Sequence, residues 1–514
     1  MKIKKNIPLI DQHDKNYLYG KKFGGNYIPE TLKKPVEDLT KLFEKLRYEK
    51  KFLKQRDYYF KNYVGSPTPF FKLENLTKYL GGAEIWCKQV SKANGGAHKI
   101  YNATVHALIC KRAGKKYIIG DTGAGYAGKM LSMAAKKFGL KCKIFMGTKD
   151  IARQAVNCRA MKKNGAEIVP VDSGSKTLVE AVSECMRYWV SNCDTTHMCV
   201  GSTVGPNIFI KICAWSTAQI SRELMVQIKK EFKRVPKKLK LINCVGGGSS
   251  AMGFWNEFIP YNKNQVELIG VEAGGPKNSK KHAAPLTNGS KIGVLHGALQ
   301  YVIQDAEGQI EETESISAGL DYPGVSPLHC LLKDSFRARY CARTDEESLE
   351  AFKLVSRLEK VRPSLEPAHA FAEAISIAPK LSKDIIIVVD SCGDAKKDIK
   401  IIESPDDEII TEEVLVFSSI LKKELIIQSL HKKIDNNTLY TKIISGPTKG
   451  TEVTIHFISG KQTKISLSVD LKLSFKAKFL GPLVKKQYKR LLTGIFLKMN
   501  GTALETQKTN FTKI

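Results

Sequence analysis

From residue 84 to residue 389 the chain alternates between two rhythms. Short, continuous apolar runs occupy 84–87, 117–120, 142–146, 167–171, 239–245, 266–271 and 385–389. Between them, apolar residues recur three or four apart over 101–112, 128–138, 153–163, 178–190, 210–232, 346–361 and 369–381. A strand without polar alternation is buried on both faces, and helices between such strands are what cover it. The pattern therefore predicts parallel sheets of the α/β class. At this length it predicts two of them in tandem, each a three-layer unit, with a cleft between. Residues 1–60 read as an N-terminal arm followed by a charged helix over 36–60. The catalytic-sized block is then 61–400, built of two interleaved α/β domains. Residues 401–413 are acidic and read as a linker. Residues 414–514 alternate at 453–457 and 465–479. Helical spacing follows over 483–499, carried by Leu483, Leu491, Leu492, Ile495, Phe496 and Met499. This predicts a small basic α+β appendage of unknown role.

Composition narrows the class. The 514 residues are 42% hydrophobic, enough for more than one buried core. No run approaches the length of a membrane span, and the basic N-terminus has no apolar stretch suited to a signal peptide. The 12 cysteines are scattered, with no CxxC pair and no zinc-ligand spacing. That predicts no metal, no disulfide framework and a cytoplasmic location. The net charge of +31 is high. No basic block is interleaved with aromatics, so the lysines read as solvated faces and nucleic acid is not an expected partner.

Two segments carry candidate chemistry. In Gly95-Gly96-Ala97-His98-Lys99, a lysine stands at the mouth of a helix behind small residues. A partly desolvated lysine loses its proton readily and can form a Schiff base. In Val245-Gly246-Gly247-Gly248-Ser249-Ser250, a glycine-rich turn runs from an apolar strand into a helix. Bare N–H groups in such a turn suit a phosphate. Each feature alone is commonly a solvated loop lysine or a linker. Together they are what pyridoxal phosphate requires.

The order of these segments resembles the tryptophan synthase β chain family, from about residue 23 to residue 400. The resemblance is carried by Phe23-Gly24-Gly25-Asn26-Tyr27-Ile28-Pro29-Glu30, by Gly96-Ala97-His98-Lys99 and by Thr122-Gly123-Ala124-Gly125. It continues through the loop from Gly246 to Gly253, Gly270-Val271-Glu272-Ala273-Gly274-Gly275 and Ser315-Ile316-Ser317-Ala318-Gly319-Leu320-Asp321-Tyr322-Pro323-Gly324. It implies the fold-type-II pyridoxal phosphate architecture and β-replacement, in which L-serine and indole give L-tryptophan. By position it implies that Lys99 carries the cofactor. His98, Gly246, Gly247, Gly248, Ser249 and Ser250 would hold its phosphate. Thr122, Gly123, Ala124 and Gly125 would receive the substrate carboxylate. Glu359 would lie near the cofactor ring, Cys392 would face the pyridine nitrogen, and Arg153 and Asp305 would close the site. It also implies a homodimer and, as an optional second cofactor, a monovalent cation.

The departures from the family cluster around the same positions. Asp121 stands where the family has the glutamate that serves acid–base steps at the β-carbon. Losing one methylene retracts its oxygens by about 1.5 Å, a displacement able to cost on the order of 10²-fold in rate. Tyr126-Ala127 replaces Gln-His. Ser250 replaces Asn, and Cys392-Gly393-Asp394 stands where Ser-Gly-Arg is expected. The lysine that grips the α chain in the family aligns with Val179, which sets the α-subunit partnership in doubt. Three functions stay open on these residues: a tryptophan synthase β reaction on free indole, a serine or threonine deaminase-type lyase, and a scaffold that has lost its chemistry.

Overall fold

The computed structural model describes residues 3–395, 408–417, 423–435, 438–443, 449–458, 464–470 and 472. The chain divides into two compact units, Met1–Lys397 and Asp398–Ile514.

The first unit contains the two expected parallel sheets. One has six strands in the order Ala338–Arg343, Val266–Ala273, Leu239–Cys244, Ile386–Asp390, Glu84–Lys88, Phe70–Lys72. The last of these runs antiparallel to Glu84–Lys88; the others are parallel. The second sheet has four parallel strands in the order Ala166–Val171, Lys141–Gly147, Tyr117–Asp121, Thr196–Cys199. Every predicted apolar run falls on one of these strands, with at most one residue beyond its end. All five residues of Ile386–Asp390 are buried, as a strand sandwiched between helices and flanked by strands on both sides must be.

Three strands of these two sheets were not apparent from the pattern, nor was a separate antiparallel sheet of Leu18–Tyr19, Phe23–Gly24, Ala298–Val302 and Lys291–Leu295. Phe70–Lys72 is a three-residue edge. Thr196–Cys199 is wholly buried but reads Thr-His-Met-Cys. Ala338–Arg343 is an edge strand whose arginines point to acids: Arg339 and Arg343 both reach the buried Glu373. Charged side chains of this kind shield a sheet edge from further pairing.

Two predicted helices break in two. The run 36–60 forms Glu30–Leu46 and Lys50–Tyr59. The first starts ahead of Pro35 and carries it inside the helix, because Leu32, Val36, Leu39, Phe43 and Leu46 bury one continuous stripe. The run 210–232 forms Asn207–Thr217 and Gln219–Phe232, parted at Ala218. Elsewhere the helix starts are marked locally. Thr177 with Glu180, and Thr344 with Glu347, form reciprocal capping boxes.

Topology positions the site. In a parallel sheet the strands end on one side, and ligands bind where the chain leaves those ends. Lys88, Cys244 and Asp390 end adjacent strands of the larger sheet. The segments that leave them carry Lys99, the turn from Gly246 to Gly248, and Cys392. Asp121 ends a strand of the smaller sheet and leads into Thr122.

The second unit shows a five-stranded antiparallel meander in chain order: Glu408–Phe417, Lys423–Asp435, Thr438–Ile443, Glu452–Ile458 and Lys464–Asp470. Residues 408–413 of the expected linker are therefore strand. Ile409, Ile410, Thr411 and Val414 are β-branched, and strand pairing with Lys423–Asp435 outweighs the acidic composition. Residues 401–407 and the predicted helix over 483–499 lie outside the described residues.

Candidate active site

Lys99 is the first residue of the helix Lys99–Arg112, which is buried along almost its whole length. Its ammonium donates to the carbonyl of Gly201 at 2.9 Å. One cavity is lined by Lys99, His98, Asp121, Thr122, Gly123, Ala124, the turn residues Gly246, Gly247, Gly248, Ser249 and Ser250, and Cys392. Residues called from three distant parts of the sequence thus meet in one place. Gly125 is not on the cavity wall but caps the following helix, Tyr126–Phe138.

The end of the cavity formed by the glycine turn is fixed by hydrogen bonds. His98 Nε2 lies 3.0 Å from Ser249 Oγ, and His98 Nδ1 lies 3.4 Å from the carbonyl of Cys392. Burial, with Lys99 close by, pushes the imidazole down to about 3, so the ring is neutral. A neutral ring with Nδ1–H on the carbonyl leaves Nε2 to accept from the serine hydroxyl. Gly248 has φ +95°, and a Cβ there would sit 2.3 Å from His329 Cδ2. Glycine is required at that point by both backbone and space. Ser250 turns its hydroxyl to Asp390 Oδ2 at 3.0 Å, and Asn243 Nδ2 donates to both. What Ser250 has left for a phosphate is its backbone N–H.

The cavity wall also carries an acid. Asp121 is 7% exposed, and burial raises its carboxyl to about 6 against the lowering effect of nearby Lys99. Its Oδ1 and the Thr122 hydroxyl are buried without a hydrogen-bond partner. Buried polar atoms are nearly always paired, so two orphans on a cavity wall are groups set for a ligand. Leu178, Val182, Val200 and Val204 make up an apolar stretch of the same wall.

Two expected residues fall elsewhere. Glu359 lies at the end of the helix Asp345–Glu359 and accepts the backbone N–H of Leu76 at 2.6 Å, away from the cavity. The glutamate on the cavity wall is Glu366, in the first turn of Leu365–Ile377, accepting the N–H of Gly319 at 3.0 Å. The signal that separates them is burial. Glu366 sits in an apolar helix with no evident need for an acid, whereas Glu359 ends an amphipathic one. Asp305 spends Oδ1 on the N–H of Gln309 within its own turn, and the side chain of Arg153 lies outside the described residues. Two contacts were not foreseen. Cys392 Sγ lies 3.6 Å from Cys244 Sγ, and the Tyr126 hydroxyl bonds Asp394.

The model of the pyridoxal-phosphate dependent enzyme family matches residues 62–393. The tryptophan synthase beta chain of Bordetella parapertussis is 43% identical over 378 residues, covering 73% of this chain and 94% of the relative. The chain belongs to the tryptophan synthase β family. It is a pyridoxal-phosphate-dependent lyase of the fold-type-II class, and the residues on the page fit that cofactor. Lys99 would hold it covalently. The glycine turn with Ser249 and His98 would hold the phosphate, and Cys392 and Glu366 would flank the ring. All 12 cysteines are free thiols. No helix among the described residues is long and apolar enough to cross a membrane.

Proposed function

We propose that this chain joins L-serine and indole into L-tryptophan and water. The observation that carries the proposal is Asp121, a buried carboxyl raised to about 6, with a partnerless oxygen on the wall shared with Lys99. Pyridoxal phosphate supplies the electron sink that lets the serine Cα–H and Cβ–O bonds break. The rest falls to the chain. Lys99 takes the Cα proton and returns it at the end. The hydroxyl of serine leaves from Cβ as water, taking its proton from the Asp121 carboxyl, and the indole C3–Cβ bond forms in its place. The C3 proton of indole must then be removed, and Asp121 is the base within reach; a carboxyl with pKa near neutrality both accepts and returns a proton. The Thr122 hydroxyl and the N–H groups of residues 122–125 take the substrate carboxylate, and the apolar wall excludes water.

Arg153 and Asp305 remain the proposed closing pair, and a monovalent cation the proposed second ligand. Val179 supplies no charge to grip an α subunit. We take indole to reach the site from solution, in a homodimer in the cytosol.

The test is the visible absorbance of purified protein with pyridoxal phosphate, beside Lys99→Ala, with L-serine and then indole added. A Lys99-dependent band that shifts with serine and relaxes with indole, with tryptophan found by chromatography, is the expected result. Pyruvate and no tryptophan would select the deaminase-type lyase. The absence of any Lys99-dependent band would select the scaffold.

A further inference from the structure

Two of the chain's departures from its family touch each other. Tyr126 stands where the family has glutamine, and Asp394 where it has arginine. The Tyr126 hydroxyl has one proton to give and two acceptors on Asp394, the backbone carbonyl at 2.6 Å and Oδ1 at 2.8 Å. Tyr126 is 6% exposed and lines the cavity.

The two residues belong to different sheets. Tyr126 opens the helix that follows residues 122–125, which leave the four-stranded sheet. Asp394 lies on the segment leaving Ile386–Asp390 of the six-stranded sheet. Its backbone N–H donates to Gly96 O at 2.9 Å, in the loop that leads to Lys99. Its carboxylate lies directly on Gly96: a Cβ there would be 2.3 Å from Oδ2. Asp394 therefore holds the lysine loop with its main chain and the helix of the other sheet with its side chain. A second tie runs in parallel, from Lys129 Nζ on that helix to Gly95 O at 3.0 Å.

We propose that the Tyr126–Asp394 bond is a positioning device, setting the substrate-carboxylate loop against the lysine loop and so fixing affinity for the amino-acid substrate. The inference rests on the reading above that residues 122–125 receive a carboxylate. A bond to an ionised acceptor is among the stronger hydrogen bonds, and losing it should weaken substrate binding by about tenfold or more. The pair does not act on the cofactor, so cofactor binding should not follow.

The experiment titrates L-serine against the visible band of the full-length, cofactor-loaded protein. The variants are Tyr126→Phe, Asp394→Ala, Asp394→Asn and the double Tyr126→Phe/Asp394→Ala. The expected result has three parts. The band before serine is the same in all. Half-saturation rises about tenfold in Tyr126→Phe, by that much or less in Asp394→Ala, where the carbonyl of residue 394 still accepts from the phenol, and in the double no further than in Tyr126→Phe. Asp394→Asn, whose amide oxygen still accepts from the phenol, stays within about threefold of the parent. Multiplying effects in the double, a Tyr126→Phe variant that binds serine as the parent does, or a band altered before serine is added would each overturn the proposal. If the parent's own band ignores serine, the proposed reaction fails instead. The pair is then decided by amide hydrogen exchange in cofactor-free protein. Exchange over residues 121–126 that quickens in Tyr126→Phe but not in Asp394→Asn supports it, and equal exchange in all variants overturns it.

Discussion

Replacing Asp121 with asparagine should stabilise the cofactor-free protein while removing its activity. The carboxyl is raised from 3.8 to about 6 by burial. The native state therefore binds this proton more tightly than the unfolded chain does. Stability falls as pH rises from the unfolded value through the folded one, and the loss is complete above about 6. That rise of the carboxyl corresponds to about 3 kcal/mol at pH 8 and to about half of that at pH 5, where the folded carboxyl is still mostly protonated. Asparagine has nearly the same shape and never ionises. Asp121→Asn should thus gain more stability at pH 8 than at pH 5, by about 1–2 kcal/mol. The assay is urea denaturation of both proteins at the two pH values, followed by tryptophan fluorescence. Tryptophan formation should fall by at least about 10²-fold, the usual worth of a positioned acid–base group. A variant no more stable at pH 8 than at pH 5, relative to the parent, would refute the reasoning, because it would mean that the buried carboxylate is compensated by a partner or by water.

Further outcomes follow from the same geometry. Gly248→Ala forces a Cβ to 2.3 Å from His329 in a left-handed backbone; the purified protein should no longer retain a Lys99-dependent band. Glu359→Ala should leave that band unchanged and lower stability by about 1 kcal/mol through the loss of a helix-terminal acceptor, whereas Glu366→Ala should shift the band; the opposite pattern would restore Glu359 to the ring. Lys88→Met removes the partner of the buried Glu223, which Lys88 meets at 2.8 Å with both side chains almost fully buried. Denaturant titration should show a loss of about 3–5 kcal/mol, the cost of stranding a buried charge.

The parts of the fold that were legible in the sequence are those whose signal is local. A strand buried on both faces must be apolar throughout, and the runs at 239–245 and 385–389 declare it. A capping box such as Thr344 with Glu347 needs only four residues. Lys99 and the turn from Gly246 to Gly248 were legible because each requires small residues beside a functional group. What was not legible depends on partners far along the chain. Nothing within Ala338–Arg343 indicates that its arginines are satisfied by Glu267 and Glu373, and without them the segment reads as surface. Glu359 and Glu366 are seven residues apart on consecutive helices. Only packing distinguishes the one that reaches Leu76 from the one on the cavity wall.

The departures themselves bear on whether the chemistry has been kept. Single changes in a buried polar site leave stranded groups, because each lost partner exposes its neighbour to the full cost of desolvation. Here the changed residues have found partners. Tyr126 and Asp394 bond each other, Ser250 bonds Asp390 and Asn243, and Cys392 lies against Cys244. Asp121 Oδ1, the Thr122 hydroxyl and Ser364 Oγ stay without a partner on the cavity wall, and Asn243 Oδ1 and Asp390 Oδ1 do so beside Ser250. Mutual pairing of the departures is what a remodelled active site requires, and in the proposed reaction Asp121, rather than any of the paired substitutions, is the acid–base group.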